Sequence, residues 1–414
     1  MIDGTRLDLA YVSPLNPIRS GLSDYSEALI PPLSDLVSIT LYSDCGTPSD
    51  PLIAERFAVR PVQSLARYCA RHDLRLYQIG NSAQHQNAFD CLRRLPGVVT
   101  LHEPFLHHGL YGVSLLRYYR EVFYELGAPD WAAARHLADR MAAGDLWALM
   151  EVLLIRRLVD SSLGIIVHSH AARRMIEDCC SADPRRRQCP ARVVVIPHLM
   201  PVPCVDSPLG RAEFGLPEEG LIFGIAGMAQ PAKEPQLVLR AFSRVAASRA
   251  RARLVFVGEI SEDCDVPALA RSLGVADRVR FLGRVDPLDR MHLAIAACDV
   301  MVNLRQPTIG ETSGTALRAM ALGRPLIVRD VGWYGELPDG TCLKIGPDAG
   351  VDELASAMLA LGSSAETRQQ LGEQALRYVQ TECDPSTIAR RYAEFLRVVY
   401  ERARMPLVRG LEPC

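Results

Sequence analysis

A polar turn in the last third of the chain carries the residues best suited to chemistry. It follows an apolar stretch, 300–304, and reads Arg305-Gln306-Pro307-Thr308-Ile309-Gly310-Glu311-Thr312-Ser313-Gly314-Thr315. Small residues come next and predict a helix. The turn would therefore aim backbone N–H groups and the positive end of a helix dipole at one spot. Such a spot suits a phosphate, and Glu311 beside it could hold a sugar hydroxyl.

A lysine marks a second strand end. Only two of the 46 basic residues are lysines, Lys233 and Lys344. Lys233 follows a predicted strand (221–226) and a turn at Gly227, and it precedes a predicted helix (235–248). A compact ammonium group at that place can reach an anion.

Two further turns end predicted strands of the same half, Gly258-Glu259 and Gly283-Arg284-Val285. The carboxyl ends of parallel strands share one edge of a sheet, and ligands of such sheets bind there. We therefore expect all these turns to converge around one polyanion, such as a nucleotide diphosphate.

Strands alternate with helices along the whole chain, which predicts an α/β fold with doubly wound parallel sheets. Four prolines between 197 and 208 indicate a linker. We expect a Rossmann-like domain over 1–200, a second over 201–385, and a helix over 386–414 that packs back on the first. The two domains are expected to face a cleft.

The first half offers candidate ligand contacts at its own strand ends. Gly21, in Arg19-Ser20-Gly21, would allow a ligand to approach closely. Gly80-Asn81-Ser82 with His85 is either a site turn or a buried structural turn.

Histidines follow two further strands. His102 and Glu103 come directly after the strand predicted over 97–101, with His107 and His108 close behind. A metal cluster is a weak alternative here because no helical i, i+4 pair is present. His168 is either polar packing at a strand end or part of a site.

A helical insertion is predicted over 111–160. Trp131 and Trp147 lie among leucines and tyrosines at helical spacing, and this pattern favours a buried core over a ligand box.

The composition excludes some functions. The net charge of −2 gives no general attraction to nucleic acid. No apolar run approaches the roughly 20 residues of a membrane span. Polar residues within the first eight positions predict no signal peptide. The twelve cysteines lack zinc-ligand spacing, so we expect reduced thiols, Cys189 among them, and no metal site.

Residues 221–380 resemble the nucleotide-sugar-binding half of family 4 glycosyltransferases, which have the GT-B fold. The segments that carry the resemblance are Gly227 to Lys233, Val279 to Gly283, Ala297 to Val300 and Glu311 to Val328. The first half resembles the family more loosely, at Pro14 to Tyr25 and Ile196 to His198.

The resemblance implies a retaining, metal-independent transfer of a hexose from a nucleotide diphosphate sugar to an acceptor hydroxyl, with no cofactor. GDP-mannose is the first expectation for the donor, and a UDP-glucose-type donor is the alternative. The catalytic group would comprise His102, near the donor sugar, with Glu103, Lys233 and Glu311. The donor-binding group would comprise Gly21, Gly227, Lys233, Gly283, Val285, Arg305, Thr312, Ser313, Gly314 and Thr315.

Two positions depart from the family's pattern. Met228 stands where the family has a phosphate-binding arginine, and we expect Arg305 to supply that charge. Arg318 stands where a second glutamate would contact the ribose, and Glu311 lies one residue nearer to it than the family spacing. Glu259 or Glu336 could replace the ribose contact.

No dedicated general base is visible. A front-face mechanism, in which the departing phosphate oxygen takes the acceptor proton, needs none, while Glu103 as base or nucleophile is the rival. The alternative functions are another GT-B enzyme, such as an epimerase or phosphorylase, and a non-catalytic scaffold. The acceptor would be a glycan, a lipid-linked glycan or a small molecule. We expect a cytoplasmic protein, with peripheral membrane contact as an alternative.

Overall fold

A computed structural model of the chain describes residues 6–181, 191–205 and 207–404. Cys189 and residues 1–5, which are among the residues that predict no signal peptide, lie outside these ranges. Contacts divide the chain after residues 197 and 384. Unit 1 holds the described residues up to Pro197 and those from Pro385 onward, and unit 2 holds the residues between. The sequence predicts boundaries after residues 200 and 385.

Thirteen strands form two separate sheets in the described part of the chain, and every strand pair is parallel. Unit 1 contains β1 (Asp8–Val12), β2 (Ser38–Tyr42), β3 (Val59–Arg60), β4 (Leu74–Ile79), β5 (Gly97–Leu101), β6 (Ser162–Val167) and β7 (Arg192–Val195). Unit 2 contains β8 (Ile222–Ala226), β9 (Arg253–Val257), β10 (Val279–Phe281), β11 (Val300–Asn303), β12 (Leu326–Arg329) and β13 (Leu343–Ile345).

The helices lie between these strands in sequence. They are α1 (Gly21–Ser34), α2 (Pro51–Arg56), α3 (Leu65–Tyr68), α4 (Gln86–Arg94), α5 (His107–Tyr111), α6 (Leu115–Leu126), α7 (Trp131–Ala142), α8 (Leu146–Leu149), α9 (Arg156–Ser161), α10 (His170–Ser181), α11 (Ser207–Glu213), α12 (Pro235–Ser248), α13 (Val266–Ser272), α14 (Leu288–Ala296), α15 (Gly314–Ala321), α16 (Gly332–Gly335), α17 (Val351–Ser363), α18 (Ala365–Glu382) and α19 (Pro385–Arg404).

Both sheets are doubly wound. The order is β3-β2-β1-β4-β5-β6-β7 in unit 1 and β10-β9-β8-β11-β12-β13 in unit 2. The direction of winding reverses between β1 and β4 in the first sheet and between β8 and β11 in the second. Ligands of such sheets bind beyond the carboxyl ends of the strands at this switch point. The predicted α/β class with two Rossmann-like sheets is confirmed.

Burial on both faces explains why the strands of unit 2 are continuous apolar runs. All residues of β8 and β11 are buried, as expected for central parallel strands covered by helices. Helix α12, which follows β8, begins with Pro235, which suits a first helical position. Its apolar face, Val238, Leu239, Phe242 and Val245, packs into the core with α17.

The last helix, α19, belongs to unit 1 and packs on α1, as predicted. Its Tyr392 hydroxyl lies 2.7 Å from the Tyr25 hydroxyl of α1 and 3.2 Å from the Thr100 hydroxyl of β5. A Cβ at Gly164 of β6 would lie 2.9 Å from the Phe395 ring, so a glycine lets this helix approach the sheet closely.

The expectation that Trp131 and Trp147 belong to the core is wrong. Their exposed fractions are 56% and 62%. Trp131 shares a helical face with the buried Ala134 and Ala138, but it is the first residue of α7 and lies beyond the core's edge. Helical spacing identifies a face and not how far along the helix that face is covered. Its ring packs edge-on against Phe123.

Strand β3, of two residues, was not predicted. In the ranges that the structure describes, no helix combines the length and apolar character needed to cross a membrane.

Tyr392→Phe tests the buried hydroxyl cluster that fastens α19. Because the hydroxyl has two buried partners, we expect the free energy of unfolding to fall by about 1–2 kcal/mol. Tyr400→Phe, on the same helix, removes exposed hydrogen bonds with Asp73 and Arg404 and should cost less than about 0.5 kcal/mol. Chemical denaturation measures both, and equal losses would contradict this account of the helix.

Candidate functional site

Gly227 shapes the turn after β8, at the switch point of unit 2. Its φ of +83° lies in the left-handed region that favours glycine. A Cβ here would lie 2.6 Å from the Lys233 ammonium nitrogen and 3.2 Å from Cγ2 of Thr315. The absence of a side chain at Gly227 therefore makes room for the lysine beside the first turn of α15.

Lys233 itself is only 8% exposed and donates a hydrogen bond of 3.0 Å to the Ala226 carbonyl. Burial lowers its pKa from the ordinary value of 10.5 to about 7. Burial is the largest cause of this lowering, the positive charge of Arg305 contributes to it, and the carboxylate of Glu311 acts in the opposite direction. The ammonium group is thus poorly solvated, and a bound anion would stabilise its charged form.

Arg305, predicted to bind the phosphate, and Glu311, predicted to contact the donor sugar, form an ion pair with each other, with Arg305 Nε 2.5 Å from Glu311 Oε1. The other carboxylate oxygen of Glu311 accepts hydrogen bonds from the Ile309 N–H (2.7 Å) and the Thr308 hydroxyl (3.1 Å). Glu311 therefore fixes its own turn while it holds Arg305 near Lys233.

The helix α15 begins at Gly314, directly after this turn, and Ser313 caps it by accepting a 3.2 Å bond from the Ala316 N–H. The first N–H groups of a helix have no partner within the helix, so they can bind an anion. The Thr312 hydroxyl oxygen is buried and has no hydrogen-bond partner among the described residues. A buried hydroxyl without a partner in this place is a second indication of a ligand.

The turns after the neighbouring strands meet at the same edge of the sheet, as predicted. Gly258 and Gly283 form an isolated bridge, and a Cβ at Gly258 would clash with the Gly227 carbonyl oxygen. Gly283 has a φ of +63°. Val285, predicted to contact the donor, is half-buried two residues later.

The two departures from the family pattern also have defined places. Met228 is half exposed. Arg318 lies in the second turn of α15, with Nη1 3.3 Å from the position of a Cβ at Gly314. An arginine thus stands beside the N-terminus of the helix.

Sequence reasoning missed Arg329, which is 2% exposed at the end of β12. Its guanidinium group binds both carboxylate oxygens of Glu234, at 2.7 and 2.8 Å, and also the carbonyls of Gly346, Pro347 and Ala349. Glu234 has a left-handed φ of +51° and directly follows Lys233. The buried arginine therefore fixes the backbone that carries the lysine.

Asn303, the last residue of β11, was also missed. Its side-chain amide nitrogen donates to the Thr315 hydroxyl (2.9 Å), and its amide oxygen accepts from the Tyr334 hydroxyl (2.7 Å). No motif indicated this residue, although a polar side chain that ends a fully apolar strand was a usable signal.

In unit 1, Gly21 is the first residue of α1, and Ser20 caps the helix. Apart from its chain neighbours and its own helix backbone, no atom of the described residues lies within 4 Å of the position of a Cβ at Gly21, so no such contact requires glycine there. The predicted role of Gly21 in ligand approach stays a prediction.

His102 lies in a buried cluster with Gln78 and His168. Its Nε2 is 2.9 Å from the Gln78 side-chain oxygen, and its Nδ1 is 3.3 Å from His168 Nε2. His168 Nδ1 lies 2.9 Å from the Ile196 carbonyl and must donate to it, because a carbonyl only accepts. Burial lowers the pKa of His168 to about 4, so its ring is neutral and carries its proton on Nδ1. The cluster thus orients the His102 ring.

Glu103 accepts a 2.7 Å hydrogen bond from the Asn81 N–H, which ties it to the turn after β4. His107 contacts Tyr118 and the Val152 carbonyl, and burial lowers its pKa to about 4. His107 is therefore a structural residue. Among the residues the structure describes, no three His, Cys, Asp or Glu side chains are grouped to hold a metal.

Comparison with known proteins finds that the segment carrying this site is similar to glycosyl transferases. Residues 220–364 match the sequence profile described as Glycosyl transferases group 1. The chain is 33% identical over 189 residues to a D-inositol 3-phosphate glycosyltransferase of Kribbella flavida, covering 42% of this chain and 43% of the relative. It is 28% identical over 187 residues to an N-acetyl-alpha-D-glucosaminyl L-malate synthase of Bacillus anthracis, covering 44% of this chain and 46% of the relative.

The matched region thus covers less than half the length of each of these two relatives. A solved structure of HepE from Anabaena in complex with UDP-glucose has a similar fold, with a TM-score of 0.67 and 15% identity over 95% of this chain and 100% of that one. The segment that contains Gly227, Lys233, Arg305, Glu311 and α15 is therefore similar to group 1 glycosyl transferases in sequence, and the α/β fold is that of a solved nucleotide-sugar complex.

Proposed function

We propose that the chain is a glycosyltransferase that uses a nucleotide diphosphate sugar as donor. The observation that carries the proposal is the buried Lys233 ammonium group beside Gly227, Arg305 and the N-terminus of α15, at the switch point of the sheet. The match of residues 220–364 to group 1 glycosyl transferases supports the same conclusion.

The chemistry follows from charge. When the bond between sugar and diphosphate breaks, negative charge grows on the leaving phosphate oxygen. Cations and helix N–H groups that are already in place stabilise that charge without reorganising. Lys233, Arg305 and the first N–H groups of α15 are suited to this role. We propose that no metal is needed and that a front-face mechanism with retention follows, with Glu103 as the rival base or nucleophile.

The proposal also concerns which donor and which acceptor the protein uses. GDP-mannose is the donor expected from the sequence, and a UDP-linked hexose is supported by the ligand named for HepE. Two relatives are named for D-inositol 3-phosphate and for L-malate, both anionic small molecules. We propose that anionic polyols and hydroxy acids be tested as acceptors alongside glycans and lipid-linked glycans. His102, Glu103 and Glu311 stay predicted contacts of the reacting sugar.

A donor-hydrolysis screen with the purified protein tests the proposal. GDP-mannose, UDP-glucose and UDP-N-acetylglucosamine are incubated with and without candidate acceptors, and release of the nucleoside diphosphate is followed. Release from one donor, stimulated by an acceptor, is the expected result. Binding of a nucleoside diphosphate with no turnover of any donor would favour the non-catalytic scaffold.

Replacing each of the two lysines gives a matched test of the anion site. Lys233→Met removes a charge-assisted contact, so we expect the affinity for the preferred nucleoside diphosphate to fall about 10- to 100-fold. Lys344→Met removes a bond to the Gly335 carbonyl in the same unit and should leave the affinity within about twofold. Calorimetric titration measures both, and a similar loss in the two variants would contradict a special role for Lys233.

The pKa of Lys233 predicts how binding depends on pH. With a pKa of about 7, the free lysine loses its charge as the pH rises above neutrality, whereas a bound diphosphate favours the charged form. Above about pH 7.5 the phosphate groups are fully ionised, so the affinity should fall by up to tenfold per pH unit, with uptake of a proton on binding. Lys233→Met should lack this slope. A flat profile between pH 7.5 and 9 in the unaltered protein would refute the prediction.

Arg305→Gln tests the contribution of Arg305 to anion binding separately from that of Lys233. Removal of this charge should weaken diphosphate binding about tenfold. It should also raise the pKa of Lys233, since Arg305 lowers that pKa in the intact site and the carboxylate of Glu311, which raises it, remains. The pH at which affinity begins to fall would therefore move upward. Unchanged affinity together with an unchanged pH profile would show that Arg305 does not act at this site.

A further inference from the structure

The hydrogen-bonded side chains beneath the first turn of α15 have a fixed direction of donation. Asn303 is 5% exposed. Its amide nitrogen can only donate, so the Thr315 hydroxyl oxygen must accept the 2.9 Å bond between them. Its amide oxygen can only accept, so the Tyr334 hydroxyl donates across 2.7 Å.

The orientation of the Asn303 amide follows from the same set of contacts. The amide oxygen also lies 3.4 Å from the Ser313 hydroxyl, while Ser313 accepts from the Ala316 N–H. Two hydroxyls therefore face the amide oxygen and one faces the nitrogen. Because Tyr334 is fully buried and burial raises its pKa, its hydroxyl stays protonated and acts as a donor.

The Thr315 hydroxyl is left with its own proton to donate. Its oxygen already accepts from Asn303, and its proton faces the Ser313 hydroxyl oxygen at 3.2 Å, because the Ser313 proton is directed at the Asn303 amide oxygen. The methyl group of Thr315 lies 3.2 Å from the place where a Cβ at Gly227 would be, and the Lys233 ammonium nitrogen lies 2.6 Å from that same place. Thr315 and Lys233 therefore border one small space.

We propose that Asn303 is a positioning residue that makes Thr315 a hydrogen-bond donor to an anion held beside Lys233. By donating to Thr315 it occupies the hydroxyl's acceptor side, so that the hydroxyl proton turns toward the bound phosphate oxygen. Asn303 touches no substrate in this arrangement, and it acts through Thr315. The proposal rests on the proposed function in that the anion is the diphosphate of the donor.

A double-mutant cycle tests the coupling, with UDP, GDP and ADP as probes and the tightest of the three used throughout. Thr315→Val removes the hydroxyl and keeps the shape, and it should weaken binding about tenfold. Asn303→Leu removes the amide without adding charge and should weaken binding about fivefold in the unaltered background. In the Thr315→Val background the same change should have less than about a twofold effect, because the hydroxyl that Asn303 orients is gone.

Two further variants guard against a merely structural effect. Thr341→Val removes another buried hydroxyl of unit 2, which bonds the Pro338 carbonyl, and should lower stability while affinity stays within about twofold. If Asn303→Leu does not fold, Asn303→Asp replaces it. The aspartate would accept the Thr315 proton and so withdraw it from the ligand. Asn303→Asp should therefore weaken binding at least about fivefold more in the unaltered protein than in the Thr315→Val background.

The outcomes separate the two proposals. No binding of any nucleoside diphosphate to the unaltered protein would overturn the proposed function and this inference with it. Binding that is unaffected by Thr315→Val, or losses at positions 303 and 315 that simply add, would overturn the role of Asn303 and leave the proposed function standing.

Discussion

The site in unit 2 depends on one constraint, the placement of a lysine ammonium group in a nearly dry space at the switch point of a parallel sheet. Removing an ammonium group from water is unfavourable, and the nearby guanidinium group of Arg305 increases the penalty, which is why the pKa of Lys233 falls to about 7. A buried and poorly solvated ammonium group is retained most readily where a bound anion stabilises its charge. The glycine at 227, the ion pair of Arg305 with Glu311 and the start of α15 all border the same space.

The surrounding framework explains how the lysine is kept there. Arg329, at the end of β12, binds both oxygens of Glu234 and three carbonyls, and so the residue that follows Lys233 is fixed in a left-handed conformation. From the other side of the switch point, Asn303 at the end of β11 holds the first turn of α15. The two buried polar side chains thus connect strand ends to the two halves of the anion site, and every side-chain nitrogen and oxygen of both makes at least one hydrogen bond.

Much of this was predictable from sequence, for physical reasons. Alternating strands and helices predict doubly wound sheets, and parallel strand ends must share one edge, so Gly227, Lys233, Gly283 and the turn at 305–315 were expected to converge. Lysine is almost absent from the chain, and this made Lys233 conspicuous. The partners were not predictable, because Arg329 and Glu234 lie 95 residues apart and spacing carries no information about such a pair. The same limit applies to His168 as the partner of His102. Trp131 and Trp147 show the opposite error, since helical spacing suggested burial that the end of a helix does not provide.

Nuclear magnetic resonance of the lysine side chains tests the central claim most directly, because the chain contains only Lys233 and Lys344. With lysine labelled at the ε carbon, each signal is followed as the pH is raised, first in the free protein and then with saturating nucleoside diphosphate. We expect that one signal titrates near pH 7 in the free protein, is absent in Lys233→Met, and titrates at clearly higher pH when the ligand is bound. A Lys233 signal that titrates near its ordinary value of 10.5 in both states would contradict it.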